Sequence, residues 1–161
     1  MNADRFCRRC GAPLETLPLA GRLRQACAAG CGHVEWGNPT PVVAALVERD
    51  GQVVLARNQA WAEGVFGLIA GFLEAGESTE AAVAREVKEE LDLDAEEVAL
   101  IGVYAFERRN EVIIAYHVRA TGEIVLNEEL AEYRLVPPEK LRPWDFGTGL
   151  AVRDWLARQA G

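Results

Sequence analysis

Residues 71–93 constrain this chain more than any other stretch. Within them, residues 78–91 have helical periodicity, with Val83, Val87 and Leu91 at i, i+4 and i+8. Ser78 suits an N-cap, and Glu80 falls in the first turn, where the helix dipole favours an acid. At about 100° per residue, Glu86, Glu89 and Glu90 lie within about 100° of one another, beside the apolar stripe. Like charges at i, i+3 or i, i+4 cost an isolated helix only about 0.2–0.5 kcal/mol per pair. Taken alone, three such glutamates read as a solvated face.

The rest of the chain supplies a scaffold for that helix. Its 161 residues suit one ordinary domain with a small appendage. All four cysteines fall early, as Cys7, Cys10, Cys27 and Cys31. Two close pairs separated by a loop favour a structural zinc ribbon over disulfides, with four thiolates leaving no open position. His33 is a weaker alternative ligand. Residues 36–41, with two prolines and a glycine, read as a linker, so the expected division is 1–36 and 37–161. Apolar stretches at 42–48 and 52–57 flank Asp50-Gly51, a hairpin signal. Strands are expected at 98–106, 111–119, 122–126 and 133–136, a short apolar segment at 65–72, and a last helix at 149–158. Such a mixture predicts a layered α/β or α+β domain.

Charge and hydropathy exclude some roles. The formal net charge is −8, yet residues 1–34 hold five arginines against Asp4 and Glu15. That segment is therefore +3 and the remainder −11, a body that repels nucleic-acid backbone. No apolar run approaches the roughly 18–20 residues of a membrane helix, and residues 1–7 lack a signal-peptide core. The expected location is the cytoplasm.

Spacing changes the reading of the acidic helix. Gly71, Glu77 and the run Arg85-Glu86-Val87-Lys88-Glu89-Glu90-Leu91-Asp92-Leu93 closely resemble the Nudix signature G-x5-E-x7-R-E-U-x-E-E-x-G-U, where U is a bulky aliphatic residue. Only Asp92 departs, standing where the pattern has glycine. The resemblance implies a Nudix α/β/α sandwich. It also implies Mg²⁺ or Mn²⁺ held by Glu86, Glu89, Glu90 and the Gly71 carbonyl, with Arg85 positioning the carboxylates and Glu77 bracing Arg85. The base that activates water varies in this family. Glu86 is one candidate; Glu129, or Glu128 beside it, is another. The cysteines and residues 68–74 are similar to zinc-ribbon Nudix proteins, among them ADP-ribose, FAD and NADH pyrophosphatases.

That similarity implies hydrolysis of a diphosphate linkage in a nucleoside diphosphate derivative, with ADP-ribose or FAD-like dinucleotides favoured. Residues 103–110, Val-Tyr-Ala-Phe-Glu-Arg-Arg-Asn, lack the S-Q-P-W-P-F-P-x-S motif of NADH pyrophosphatases, which disfavours NADH. The alternatives are a nucleoside triphosphate pyrophosphohydrolase, an NADH or RNA-cap hydrolase, and a nucleotide-sensing module on a Nudix scaffold. Trp61, Phe66, Tyr104 and Phe106 are candidates to stack on a base, and Arg57, Arg108 and Arg109 to meet phosphate. Family resemblance also suggests a homodimer. Nucleic acid is a disfavoured partner, approachable only through the basic ribbon.

Overall fold

The computed structural model describes residues 6–159; residues 1–5, part of the segment tested for a leader, and 160–161 lie outside them. Two compact units emerge, Met1–Asn38 and Pro39–Gly161. The first carries a small antiparallel sheet of β1 (Leu14–Leu19), β2 (Arg22–Cys27) and β3 (Val34–Glu35), in that spatial order. Among its described residues the buried apolar ones are Cys7, Ala26 and Cys27. So little apolar surface leaves a unit of this size in need of a staple.

In the second unit, β4 (Thr40–Arg49) and β5 (Gln52–Asn58) form the expected hairpin, with Asp50 and Gly51 both at positive φ. After β6 (Ile69–Phe72) come helix α1 (Thr79–Leu91), β7 (Asp94–Phe106), β8 (Glu111–Thr121), β9 (Leu130–Val136) and helix α2 (Gly149–Gln159). The sheet runs β7-β8-β4-β5-β9, with β6 also paired to β4. Strand β4 is central. It lies parallel to β8 on one side and antiparallel to β5 and β6 on the other.

Two covered faces explain why residues 42–47 are a continuous apolar run. Val43, Ala45 and Val47 pack in one core with Val83, Val87 and Leu91 of α1. Ala44 and Leu46 pack in the other with Ala151, Val152 and Trp155 of α2. A helix on each face of a mixed sheet makes the α/β/α sandwich.

Three expectations change. The linker ends earlier, because Thr40 and Pro41 already pair with Glu111 and Val112. Strand β7 begins at Asp94, and register shifts at Ala95/Glu97 and Leu100/Gly102 break its alternation. Residues 122–126 are not a strand. Ile124 and Leu126 do turn inward, but Val125 N–H donates to Leu91 O (2.9 Å) and Asn127 N–H to Glu90 O (3.2 Å). The segment satisfies carbonyls that the end of α1 leaves free.

Candidate active site

Helix α1 begins and ends on side-chain chemistry. The Ser78 hydroxyl accepts from Ala81 N–H at 3.1 Å. At the other end Asp92 adopts the left-handed conformation (φ 56°) and donates its N–H to Lys88 O, doing the work of the missing glycine. Lys88 Nζ sits 2.8 Å from Asp92 Oδ1 and 3.0 Å from Asp94 Oδ1, which offsets the strain of that backbone.

Between these caps, Arg85 organises the acids. Its Nε and Nη2 donate to the two Glu77 oxygens (3.2 and 2.8 Å), and Nη2 also donates to Phe72 O (3.2 Å). Its Nη1 donates to Glu86 Oε1 (2.7 Å) and Glu89 Oε2 (3.1 Å). Glu77 in turn accepts Glu74 N–H at 2.7 Å, fixing the loop before α1. One guanidinium thus ties three carboxylates and strand β6 together, a bidentate geometry that lysine cannot reproduce.

Gly71 is required for a reason of space. A Cβ there would lie 2.0 Å from Glu86 Oε1 and 2.1 Å from its Cδ. The carboxylate rests against the bare backbone of β6.

Glu86 and Glu90 are buried, at 9% and 8% exposure, whereas Glu89 is exposed. Burial pushes the Glu86 carboxyl up, against the pull of Arg85. Glu90 is pushed up to about 8, first by burial and then by the charges of Glu86, Glu129 and Glu89. Two buried acids and no cation of their own beyond Arg85 make a strongly electronegative pocket. Glu129 reaches this cluster through the segment after β8: its N–H donates to Asn127 Oδ1 (3.0 Å) and its carbonyl accepts Gln59 N–H (2.8 Å).

A cleft of about 720 Å³ opens beside Gly71 and Phe72. Of the suggested substrate contacts, Trp61, Phe66, Phe106 and Arg109 line it. Arg57 does not: it pairs with Glu132 at 2.6 Å, its cross-strand neighbour in β9. Tyr104 donates to Asp154 Oδ2 (2.9 Å) and packs in the α2 core, away from the lining. Arg108 lies over the Phe146 ring at 6.0 Å, behind a residue that does line the cleft. Glu111, Trp144 and Phe146 were not anticipated. Glu111 carried a signal, since an acid at i−2 from buried Ile113 points to the apolar face of its strand. The loop tryptophan carried none.

In the first unit, the four cysteine sulfurs converge within 4.8 Å of one another, with Cys10–Cys27 at 3.4 Å and Cys7–Cys31 at 3.6 Å. Backbone amides turn toward them; the Cys31 amide, then the Cys10 thiol, hold Cys27 down to about 6. His33 faces elsewhere, 2.7 Å from Glu35 Oε1. Among the described residues this is the one group of three or more such ligands so tightly gathered; the glutamates stand further apart, Glu89 being turned to Arg85.

Residues 37–156 match the NUDIX domain family. The chain belongs to the Nudix family. It is 36% identical over 166 residues to NAD-capped RNA hydrolase NudC of Stutzerimonas stutzeri, covering all of this chain and 59% of that protein. It is 32% identical over 163 residues to NudC of Pseudomonas aeruginosa, covering 98% of this chain and 58% of that one. The Nudix chain therefore spans under two thirds of the length of these relatives. A solved Nudix hydrolase from Nitrosomonas europaea superposes with a TM-score of 0.81 at 22% identity, covering 98% of this chain and 93% of its own, and so shares the fold. Among the described residues no helix is long and apolar enough to cross a membrane.

Proposed function

We propose that this Nudix chain hydrolyses the diphosphate linkage of a nucleoside diphosphate derivative, with adenine dinucleotides and ADP-ribose the favoured class. The observation that carries this is the clamp in which Arg85 presses the buried Glu86 carboxylate against Gly71. A solvated acidic face has no use for such burial. In this reading residues 37–161 are the hydrolase domain and residues 1–36 a zinc ribbon.

The donor set fits a hard divalent cation, because oxygen ligands of negative charge are what magnesium and manganese take. Glu86, Glu89, Glu90 and the Gly71 carbonyl would hold it. When bound, it polarises phosphoryl oxygens and lowers the pKa of an attacking water. The chain's own groups do the rest. Arg85 and Glu77 fix the carboxylates. Glu129, exposed and free of Arg85, is the favoured acceptor of the water's proton, since Glu86 is already engaged by the guanidinium. For ADP-ribose the products are AMP and ribose 5-phosphate.

The cysteine cluster fits zinc. Four thiolates about 2.3 Å from a tetrahedral centre lie roughly 3.8 Å apart, close to the sulfur spacing here. Thiolates held for metal suit a reducing compartment, so the cytoplasm is the assigned location, and a homodimer is the assembly assigned by family likeness.

Hydrolysis of a panel of nucleoside diphosphate derivatives with Mg²⁺, with products identified by phosphorus NMR, tests the reading. No turnover of any member, alongside retained nucleotide binding, would favour a sensor and sink the enzyme. NAD-capped RNA is the second reading, favoured by the relatives' activity and by the +3 segment at residues 1–34. Faster cleavage of capped RNA than of free NAD would select it.

A further inference from the structure

Glu129 is exposed, yet its main chain is tied on both sides. Its N–H donates to Asn127 Oδ1 at 3.0 Å, and its carbonyl accepts Gln59 N–H at 2.8 Å. Water can satisfy the polar groups of an exposed turn, so burial does not demand these bonds. What they set is direction. Leu126 packs on the core that backs α1 and Leu130 is buried in it, so only residues 127–129 bridge two anchors. Just beyond, Arg57 pairs with Glu132 and Asn58 with Leu130, which leaves Ala131 as an extra residue in β9. A bulge of this kind re-aims the side chains beside it.

Asn127 stands where two parts of the acidic cluster meet. Its own N–H donates to Glu90 O at 3.2 Å, so one residue joins the helix end that carries a buried acid to the turn that carries Glu129. Asparagine suits the place, because its short side chain can accept from the amide two residues on. After burial, the Glu129 charge is among those that push Glu86 and Glu90 up, so its carboxylate lies near both.

We infer that Asn127 is a positioning residue for the reaction, fixing the Glu129 carboxylate at the acidic cluster through the Glu129 main chain. The inference rests on the proposed function. There, Glu129 takes one proton from water as the water oxygen bonds to phosphorus and the phosphoanhydride P–O bond breaks. The other proton stays on that oxygen, and the electron pair of the broken bond leaves with the departing phosphate. A placed base is worth about 10²–10⁴-fold, and a misplacement of about 1 Å forfeits much of it.

A double-mutant cycle tests the assignment, with Mg²⁺ and the panel substrate that is cleaved fastest. Asn127→Ala removes the Oδ1 acceptor and leaves the amide bond to Glu90 O. It should lower kcat by about 10- to 100-fold and keep KM within about twofold, because Asn127 does not line the cleft. Asn127→Asp, which keeps the acceptor, should recover most of the loss. Glu129→Gln should lower kcat by at least about a hundredfold, and adding Asn127→Ala to it should cost nothing more. In metal-free protein, NMR amide exchange at Glu129 should quicken in Asn127→Ala and slow again in Asn127→Asp. Multiplied losses in the double variant, no recovery in Asn127→Asp, or an unchanged Glu129 amide would overturn the assignment. A crippled Glu129→Gln beside a fully active Asn127→Ala sinks this inference alone. An unmutated chain that hydrolyses nothing, or a fully active Glu129→Gln, sinks the proposed base as well.

Discussion

The two ligand clusters of this chain are built on opposite plans. The sulfurs of Cys7, Cys10, Cys27 and Cys31 already converge within 4.8 Å, on turns of a unit with almost no apolar core. The carboxylates of Glu86, Glu89 and Glu90 stand on a capped helix, backed by a full core, with Arg85 Nη1 donating to the first two. One is a closed tetrahedron whose ion would be part of the fold. The other is an open set whose fold exists first, and whose charge, in the proposed function, would be met by a divalent ion. Where the metal replaces the core, four protein ligands suffice; where it meets a substrate, the protein leaves positions free.

The largest effect expected from this contrast is on the cysteine cluster. Chelation, or Cys27→Ser, should unfold residues 6–38 because structural zinc contributes about 10–16 kcal/mol to such units. Hydrogen exchange should show protection lost there and retained in β4 and α1. Equal protection before and after chelation would break the comparison. Next comes Glu90→Gln, which should lower kcat by at least about a hundredfold, the scale of losing a placed charge at a reacting centre. Its thermal midpoint in metal-free protein should not fall, since glutamine replaces a carboxyl that burial already keeps largely protonated at neutral pH.

A pH effect follows from the raised carboxyls. With Glu90 at about 8 in the fold and near 4.5 when unfolded, the folded state holds the extra proton between those values. Its contribution to stability is full below pH 4.5 and is lost as pH rises through 8. Metal-free protein should therefore melt at lower temperature at pH 8 than at pH 5.5, and Mg²⁺ should raise the midpoint more at pH 8. Calorimetry at both values, with and without the ion, measures it. The smallest effect is Asp92→Gly. Relief of the left-handed residue, less the Lys88 pair, should stabilise by about 0.5 kcal/mol and leave turnover unchanged in a urea titration paired with an assay.

Much of the architecture could be read from local pattern. Asp50-Gly51 encodes its turn, residues 42–47 their double burial, and Ser78 its cap, because each depends on neighbours in sequence. The spacing of Gly71, Glu77 and Arg85 carried information for a different reason: Glu77 meets Arg85, and Gly71 meets the neighbouring Glu86, so their distances along the chain are fixed by contact. Residues 122–126 misled because their alternation is real but their amides cap α1 and join no ladder. The pairing of Arg57 could not be read locally, because its cross-strand partner, Glu132, is 75 residues away. Trp144 and Phe146 reach the cleft from the loop before α2, a meeting that only the finished topology brings about.

The parallel pairing of β4 with β8 has a consequence for synthesis on the ribosome. The partner of β4 is made about 70 residues after it. At roughly 5–20 residues per second, the most apolar strand of the chain waits several seconds for its neighbour. Through that interval β5 and β6 can cover only one edge, and the face that α2 will cover is still bare. Nascent chains of this protein should be clients of ribosome-associated chaperones from the emergence of β4 until β8 clears the exit tunnel.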